Sequence, residues 1–169
     1  MLDIALLQDA DWPDTTDWDT LATQAVTAAV TQTPHGFLAS ASFAVEVSVK
    51  LAGNEEVRAL NAAYRDKDRP TNVLSFPMVQ PDLIESLTNS DDGEVLLGDI
   101  VLAQGVCEAE AEERGITLEA HATHLIVHGT LHLLGYDHQG TDEAEAMEAL
   151  ERTALAGLGI ADPYPVDEG

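Results

Sequence analysis

The chain has 169 residues, 45% apolar and 22% charged, a balance typical of globular proteins that excludes a disordered chain. Seven basic residues stand against 31 acidic ones, and the net charge of −24 argues against a protein that coats nucleic acid by neutralising its phosphates. With one cysteine, no intramolecular disulfide is possible, and no stretch reaches the roughly 18 apolar residues of a membrane helix. We therefore expect a cytoplasmic protein without a membrane segment, in which Cys107 is a buried, inert thiol.

Hydrophobic periodicity predicts alternating strands and helices along the chain. In chain order these are a strand at residues 4–7, a helix at 18–31, a strand at 43–51, a helix at 55–64, strands at 72–76 and 94–102, and helices at 103–114, 117–134 and 142–156. Asn54 and Thr141 are expected to cap helix starts, and Gly115 and Gly135 to end helices. Residues 78–93 read as an irregular acidic loop and about 160–169 as a loose tail. We interpret residues 1–169 as one α+β domain.

The most informative segment contains five of the six histidines, between positions 121 and 138. On a helix, His128 and His132 stand one turn apart on the same face and can bind one ion together. Gly135 then allows the chain to turn back, which brings His138 as a third ligand. This spacing matches the H-x-x-x-H-x-x-G-x-x-H frame of one class of zinc proteases. Three imidazoles leave a coordination position for water, the mark of a catalytic site.

Two features near this frame qualify the prediction. The proteases place a glutamate general base directly after the first histidine, and this chain has Gly129 there, so the usual base for peptide hydrolysis is missing. His121 and His124 lie upstream on the same helical face. They can be further ligands, residues that orient the ligands, or packing residues, and the last two interpretations are favoured because three later histidines already complete a tripod.

Two motifs resemble the YbeY endoribonuclease family of bacteria. They read HGTLHLLGYDH at residues 128–138 and LNAAYRDKDRPTNVLSFP at residues 60–77, with weaker support from LGDI at 97–100. The resemblance extends from about residue 40 to the end. It implies a zincin-like α+β fold, with a small mixed sheet of about four strands flanked by helices in an αβα arrangement.

The resemblance also implies a function and a set of site residues. It implies a metal-dependent endoribonuclease specific for single strands, which matures the 3′ end of small-subunit rRNA and acts in ribosome quality control. The metal, zinc or another divalent transition ion such as nickel, would be held by His128, His132 and His138. RNA and the ribosomal particle or its proteins are the implied partners, with neither DNA nor a membrane expected. Arg65 would be important for activity, since a guanidinium can meet two oxygens of a phosphate under attack.

Several roles stay open at this stage. Arg65 can instead form a structural salt bridge, and Lys67 and Arg69 can either hold flanking RNA backbone or remain solvated. Asp137 can orient a histidine, activate water or shape the turn, and Tyr136 is read as packing. Asn61, Thr71, Asn72 and Ser75 are read as residues that fix Arg65.

The function itself has two rivals. The protein can be a ribosome-assembly factor with a structural metal, or a zinc hydrolase of another ester or amide. A cationic, elongated cleft beside the metal would favour RNA, whereas an apolar, deep one would favour a small substrate.

Overall fold

A computed structural model describes residues 2–8, 12–13, 15–40, 44–79, 94–136 and 140–160 of the chain. All but the first two residues of the predicted acidic loop (80–93) and nearly all of the predicted tail (161–169) therefore lie outside the described residues, as do Asp137 and His138. Among the described helices, none combines the length and the apolar character needed to cross a bilayer.

The observed elements follow the predicted order. The strands are β1 (Leu2–Gln8), β2 (Ala44–Ala52), β3 (Val73–Pro77) and β4 (Glu94–Ala103), and the helices are α1 (Trp18–Thr31), α2 (Phe37–Ser40), α3 (Asn54–Arg65), α4 (Gln104–Arg114), α5 (Leu118–Leu133) and α6 (Thr141–Gly157). All nine predicted elements are confirmed to within two residues at each end. The short α2, which follows the predicted break at residues 34–36, was not predicted.

The four strands form one mixed sheet in the order β1-β2-β4-β3. Strands β1, β2 and β4 are parallel to one another, and β3 runs antiparallel to β4 at the edge of the sheet. A close approach at Gly98 joins this edge to the helices, because a Cβ there would lie 2.5 Å from Leu133 Cδ2 and 2.6 Å from the Phe76 carbonyl oxygen. The predicted α+β class with a small mixed sheet is confirmed.

Helices cover the two faces of the sheet unequally. The predicted alternation along β2 is confirmed, since Val45, Val47, Val49 and Leu51 are buried and belong to one core with residues of α1, α5 and α6. On the other face, α3 contributes Val57 to a smaller cluster with residues of β3 and β4. Helices on both faces give the predicted αβα layering, and the larger layer positions α5 beside the edge strand.

Two of the predicted caps are wrong. Asn54 is the first residue of α3 and makes no cap to it; instead its Oδ1 accepts a hydrogen bond from the Val106 backbone N–H at 3.1 Å, in the first turn of α4. Gly105 makes room for this contact, since a Cβ there would lie 2.5 Å from Asn54 Nδ2. Thr141 is likewise the first residue of α6, behind Gly140, and its side chain makes no cap. In both places a glycine, Gly53 or Gly140, occupies the N-cap position, because glycine adopts the non-helical conformation of that position at little cost.

Candidate metal centre

A side-chain cap, which was not predicted, and a predicted glycine define the two ends of α5. Its start is capped by the Thr117 side chain, which accepts a hydrogen bond from the Ala120 N–H at 3.0 Å. At its other end Gly135 has a φ of 102°, a backbone conformation that favours glycine. The N–H of Tyr136 then donates to the Leu131 carbonyl at 3.0 Å, which closes the helix and directs the chain away from its axis. The predicted stop at Gly135 is confirmed.

Four histidines form a row along one face of α5, at His121, His124, His128 and His132. Neighbouring rings meet edge to face, and the closest pair is His128 and His132, with ring centroids 4.6 Å apart. The Nε2 atoms of that pair are separated by 3.1 Å. Two nitrogen ligands of a tetrahedral zinc ion lie about 3.3 Å apart if each Zn–N bond is about 2.0–2.1 Å. The spacing of this pair therefore fits a shared divalent ion.

The other ring nitrogen of His128 faces a carboxylate that sequence reasoning missed. Glu151 on α6 is fully buried, and its Oε1 lies 3.0 Å from His128 Nδ1 and 3.1 Å from His124 Nε2. Burial by itself would raise the pKa of Glu151, but the hydrogen bonds from His124 and His128 outweigh it and lower the pKa to about 2. A carboxylate bonded to the second nitrogen of a histidine is the usual partner of a metal-binding imidazole, because it fixes the orientation and tautomer of the ring.

The described residues thus offer two places for an ion. His124, His128 and Glu151 could hold one in the interior, since their ligand atoms lie within 4.8 Å of one another. Such an ion would be enclosed, because Glu151 and His124 are buried. His128 and His132 could instead hold one at the wall of a cavity, on the side of their Nε2 atoms. His138, the predicted third ligand, and Asp137 are outside the described residues.

The packing around Gly129 explains why this chain has no glutamate at the position of the protease general base. Gly129 is buried against β4, and a Cβ at this position would lie 3.1 Å from Ile100 Cγ2. The residue after His128 therefore faces the sheet, where a charged side chain would be buried without a partner. The local packing agrees with a hydrolase frame that lacks the protease base.

A cavity of about 630 Å³ lies between α5 and the edge strand β3. His128 and His132 line it on the helix side, Ser75 lines it on the strand side, and Arg65 also contributes to its wall. Arg65 is the last residue of α3, and its Nη2 donates to the Ser75 carbonyl oxygen at 3.3 Å. The structure therefore places the predicted catalytic arginine and two of the three predicted ligands around one space. Tyr136 lines the same cavity and packs against the core, and burial raises the pKa of its hydroxyl.

A second cavity of about 360 Å³ continues from the first. Arg65, Thr71, Asn72 and Val73 line both cavities, and Lys67 and Arg69 line the second. Among the described residues, no carboxylate lies within ion-pair distance of Arg65, Lys67 or Arg69. The cleft is therefore elongated and partly cationic, which is the shape expected for a phosphate chain.

Buried contacts hold the walls of the second cavity. Asn61 is only 3% exposed, and its Nδ2 donates to the Arg69 carbonyl oxygen at 2.8 Å. Asn72 donates from Nδ2 to Glu110 Oε1 at 3.0 Å, and the same oxygen lies 2.8 Å from His121 Nε2. Of the residues predicted to fix Arg65, Ser75 contacts it directly, whereas Asn61 and Asn72 hold the loop and the strand beside it. His121 holds Glu110 of a cavity wall through its Nε2 and is not among the candidate ligands, although its ring meets that of His124 edge to face.

Comparisons with known proteins agree with this arrangement. The family model described as Endoribonuclease YbeY matches residues 7–159. Proteins named Endoribonuclease YbeY from Rhizorhabdus wittichii and Sphingopyxis alaskensis are 64% and 59% identical to the chain, covering 99% and 97% of it and 99% and 98% of their own lengths.

A solved structure shows the same fold. The solution structure of TM1509 from Thermotoga maritima aligns with a TM-score of 0.55 at 23% identity, covering 95% of this chain and 98% of that one. The family model matches most of the chain, and these relatives are more than half identical to it over nearly its full length. The chain belongs to the YbeY family.

Proposed function

We propose that this protein is a metal-dependent endoribonuclease that cleaves single-stranded RNA during maturation of ribosomal RNA. The observation that carries the proposal is the shared cavity, which brings His128, His132 and Arg65 around one space. Membership of a family described as endoribonuclease supports the class of reaction. The polar, elongated cleft argues against the rival hydrolase of a small apolar substrate.

In this proposal His128 and His132, completed by His138, hold one divalent ion, with zinc the first candidate and nickel the second because imidazole suits both. When bound, the ion would supply a water of lowered pKa and Lewis acidity toward a phosphoryl oxygen. Glu151 holds the His128 ring so that its Nε2 faces the cavity. Arg65 donates one N–H to the Ser75 carbonyl oxygen, and this hydrogen bond orients the guanidinium. The other N–H donors of the guanidinium can then bind phosphate oxygens.

The recessed position of the histidines supports a preference for single strands. The His128 side chain is only 18% exposed, so the scissile phosphate has to enter the cavity to reach it. A flexible single strand can bend into such a recess, whereas a duplex presents its phosphates on a stiff surface.

The charge of the chain supports a role on the ribosomal particle in the cytoplasm. A net charge of −24 repels RNA everywhere except near the basic cleft. Naked RNA should therefore bind weakly, and basic proteins of the particle are partners that complement the acidic surface.

The proposal is tested with purified protein and short single-stranded and double-stranded RNAs of the same sequence. We expect cleavage of the single strand to stop with a chelator and return with added zinc or nickel. Arg65→Ala and His132→Ala should each lower kcat/KM by at least about a hundredfold. Arg152→Ala, which removes a cation paired with Glu148 outside the cleft, is the matched control and should cleave normally. Equal cleavage by all three variants would reveal a contaminating nuclease and contradict the proposal.

The enclosed His124, His128 and Glu151 group favours a second candidate, an assembly factor with a structural ion. The two candidates differ in which histidine the ion needs. If the ion lies at the cavity wall, His132→Ala should lose it while His124→Ala retains it with reduced affinity. If a metal-content measurement instead shows that His124→Ala loses the ion and His132→Ala retains it, and no turnover is seen, the structural ion is supported.

A further inference from the structure

The second cavity contains a carboxylate that a simple phosphate site would not need. Among the described residues that line the two cavities, Glu110 of α4 is the one acidic side chain. Its side chain is 35% exposed, and both hydrogen bonds recorded for it go to Oε1. No described residue donates to Oε2. One oxygen is therefore fixed by the protein, and the other is available to a ligand.

The hydrogen bonds to Oε1 hold the carboxylate firmly. His121 is 1% exposed, and its Nδ1 has no partner among the described residues, so its Nε2 carries the proton that Glu110 accepts. Asn72 donates to the same oxygen from its Nδ2, and the backbone carbonyl oxygen of Asn72 accepts a hydrogen bond from the Ala103 N–H at 3.1 Å. Glu110 is thus oriented from α5 and from the start of β3.

Two other residues that line the second cavity supply the cations. Asp66 adopts a left-handed conformation with a φ of 61°, and the Lys67 N–H donates to the Asn61 carbonyl at 3.2 Å. Together with the bond from Asn61 to the Arg69 carbonyl, this shapes the loop before any ligand binds. Lys67 and Arg69 therefore come from a preformed turn.

Cations and an oriented carboxylate recognise different parts of a nucleotide. Lysine and arginine bind phosphate, whereas a carboxylate repels phosphate and accepts a hydrogen bond from a ribose 2′-hydroxyl. Hydrolysis by water leaves the 2′-hydroxyl out of the bond-breaking step, so selection of RNA over DNA needs a group that recognises this hydroxyl. Glu110 has the chemistry for that recognition.

We propose that the second cavity is a ribonucleotide subsite for the residue next to the scissile phosphodiester. Lys67 and Arg69 hold its phosphate, and Glu110 accepts a hydrogen bond from its 2′-hydroxyl. The inference rests on the proposed endoribonuclease function and adds to it the residue that selects ribose. Arg65, which lines both cavities, lies between this subsite and the histidine pair.

The experiment uses a short single-stranded RNA whose cleaved bond has been identified. A series of oligonucleotides then carries one 2′-deoxy nucleotide at each position around that bond. With the wild-type protein, we expect a 2′-deoxy nucleotide at one neighbouring position to raise KM about tenfold and to leave kcat unchanged. A tenfold change is the effect of losing one hydrogen bond to a charged acceptor. An equal KM at every neighbouring position would overturn the proposal.

Glu110→Ala should abolish this discrimination, so that the deoxy and ribo substrates have equal KM. The ratio is measured within one variant, and a smaller folded fraction therefore cancels. Glu113→Ala, which removes an exposed acid from the same helix, is the matched control and should keep the tenfold ratio. A Glu110→Ala protein that keeps the ratio would also overturn the proposal.

The cations are tested by the Lys67→Ala, Arg69→Ala double variant. Its KM for RNA should rise with kcat unchanged, and the slope of log affinity against log salt should become shallower by about 1.4, or about 0.7 for each lost contact to a single strand. An unchanged slope would contradict the assignment of the phosphate.

Binding of the same oligonucleotides, measured by fluorescence anisotropy in a chelator, separates this inference from the proposed function. If no RNA is cleaved, the function fails, but a ribose preference in binding that disappears in Glu110→Ala still supports the subsite.

Discussion

Replacement of Glu151 by glutamine tests the most buried part of the candidate metal centre. The substitution keeps the shape of the side chain and removes its charge. In the native protein Oε1 lies 3.0 Å from His128 Nδ1 and 3.1 Å from His124 Nε2, in a place without solvent access. A glutamine carbonyl oxygen in the place of Oε1 can still accept both hydrogen bonds, but it is neutral, so each bond loses the contribution of the negative charge. The variant therefore weakens both contacts without creating a cavity.

The expected magnitude follows from these two contacts. A hydrogen bond to a charged group contributes about 1.5–3 kcal/mol, and breaking a buried ion pair by removing one partner costs about 3–5 kcal/mol. We expect Glu151→Gln to lower the free energy of unfolding of the metal-free protein by about 1–3 kcal/mol, and Glu151→Ala by about 3–5 kcal/mol. Loss of the carboxylate that orients a ligand should weaken metal binding by about tenfold to a hundredfold.

Urea unfolding of the metal-free protein measures the first quantity, and competition with a coloured chelator measures the second. Glu148→Gln is the matched control, because Glu148 lies on the same helix and, within the part of the chain that the structure describes, its ion pair is a long contact of 4.0 Å to Arg152. Its effects should stay within about 1 kcal/mol and a factor of about two. If Glu151→Gln behaves like this control in both assays, Glu151 does not orient His128 and the reasoning is refuted.

The effect of Glu151 should also depend on pH in a defined direction. Its pKa of about 2 in the folded protein lies below the ordinary value of 4.5. The stabilisation is therefore present above about pH 4.5 and is lost as the pH falls from there toward 2. The stability difference between wild type and Glu151→Gln should narrow over that interval, and a constant difference would contradict the assigned charge.

Three further changes have defined outcomes. Burial lowers the pKa of His121 below its ordinary value of 6.5, so the unfolded chain binds a proton at a higher pH than the folded protein does. The free energy of unfolding, measured with urea at several pH values, should therefore decrease as the pH falls from 6.5. This decrease with pH should be less steep in His121→Gln. Gly98→Ala should cost about 1–3 kcal/mol in urea, because its Cβ would lie 2.5 Å from Leu133, whereas Gly157→Ala, in open space, should cost nothing measurable. Burial raises the pKa of Cys107 to about 12, so a thiol reagent at pH 8 should label the protein only after urea is added, and rapid native labelling would contradict this.

The parts of the structure that depend on local sequence were predictable. The helix that carries the histidines was predicted at residues 117–134 and is observed at Leu118–Leu133, because a side-chain cap and a glycine at positive φ act over a few residues. The strand alternation at residues 44–52 was equally visible, since one buried face produces a period of two.

Contacts between distant segments were not predictable in the same way. Asn54 was expected to cap its own helix and instead binds the Val106 N–H, 52 residues away. Nothing in the local pattern distinguishes these two uses of one side chain. The position of Arg65 at the histidine cavity likewise depends on how β3 lies between α3 and α5, and only the resemblance to YbeY proteins indicated it.

Glu151 illustrates a signal that was present in the sequence and not used. The buried stripe of α6 contains Met147, Glu151, Ala154 and Leu155, spaced as on one face of a helix. A glutamate in such a stripe must have a partner, because an unpaired buried charge is too costly. Four histidines on another helix are the evident candidates. Glu110 gives a weaker signal, since its helix is short and its other face is largely polar.

The distribution of charge determines where RNA can approach the protein. Lys50, Arg58 and Arg152 each have a carboxylate partner among the described residues. The cations of the cleft have none there, although the chain carries 31 acidic residues. In so acidic a protein, unpaired cations beside one another form a local positive potential surrounded by a negative one. An RNA strand is therefore repelled by most of the surface and attracted where Arg65 lines the histidine cavity, so the same charges that weaken binding overall select the productive approach.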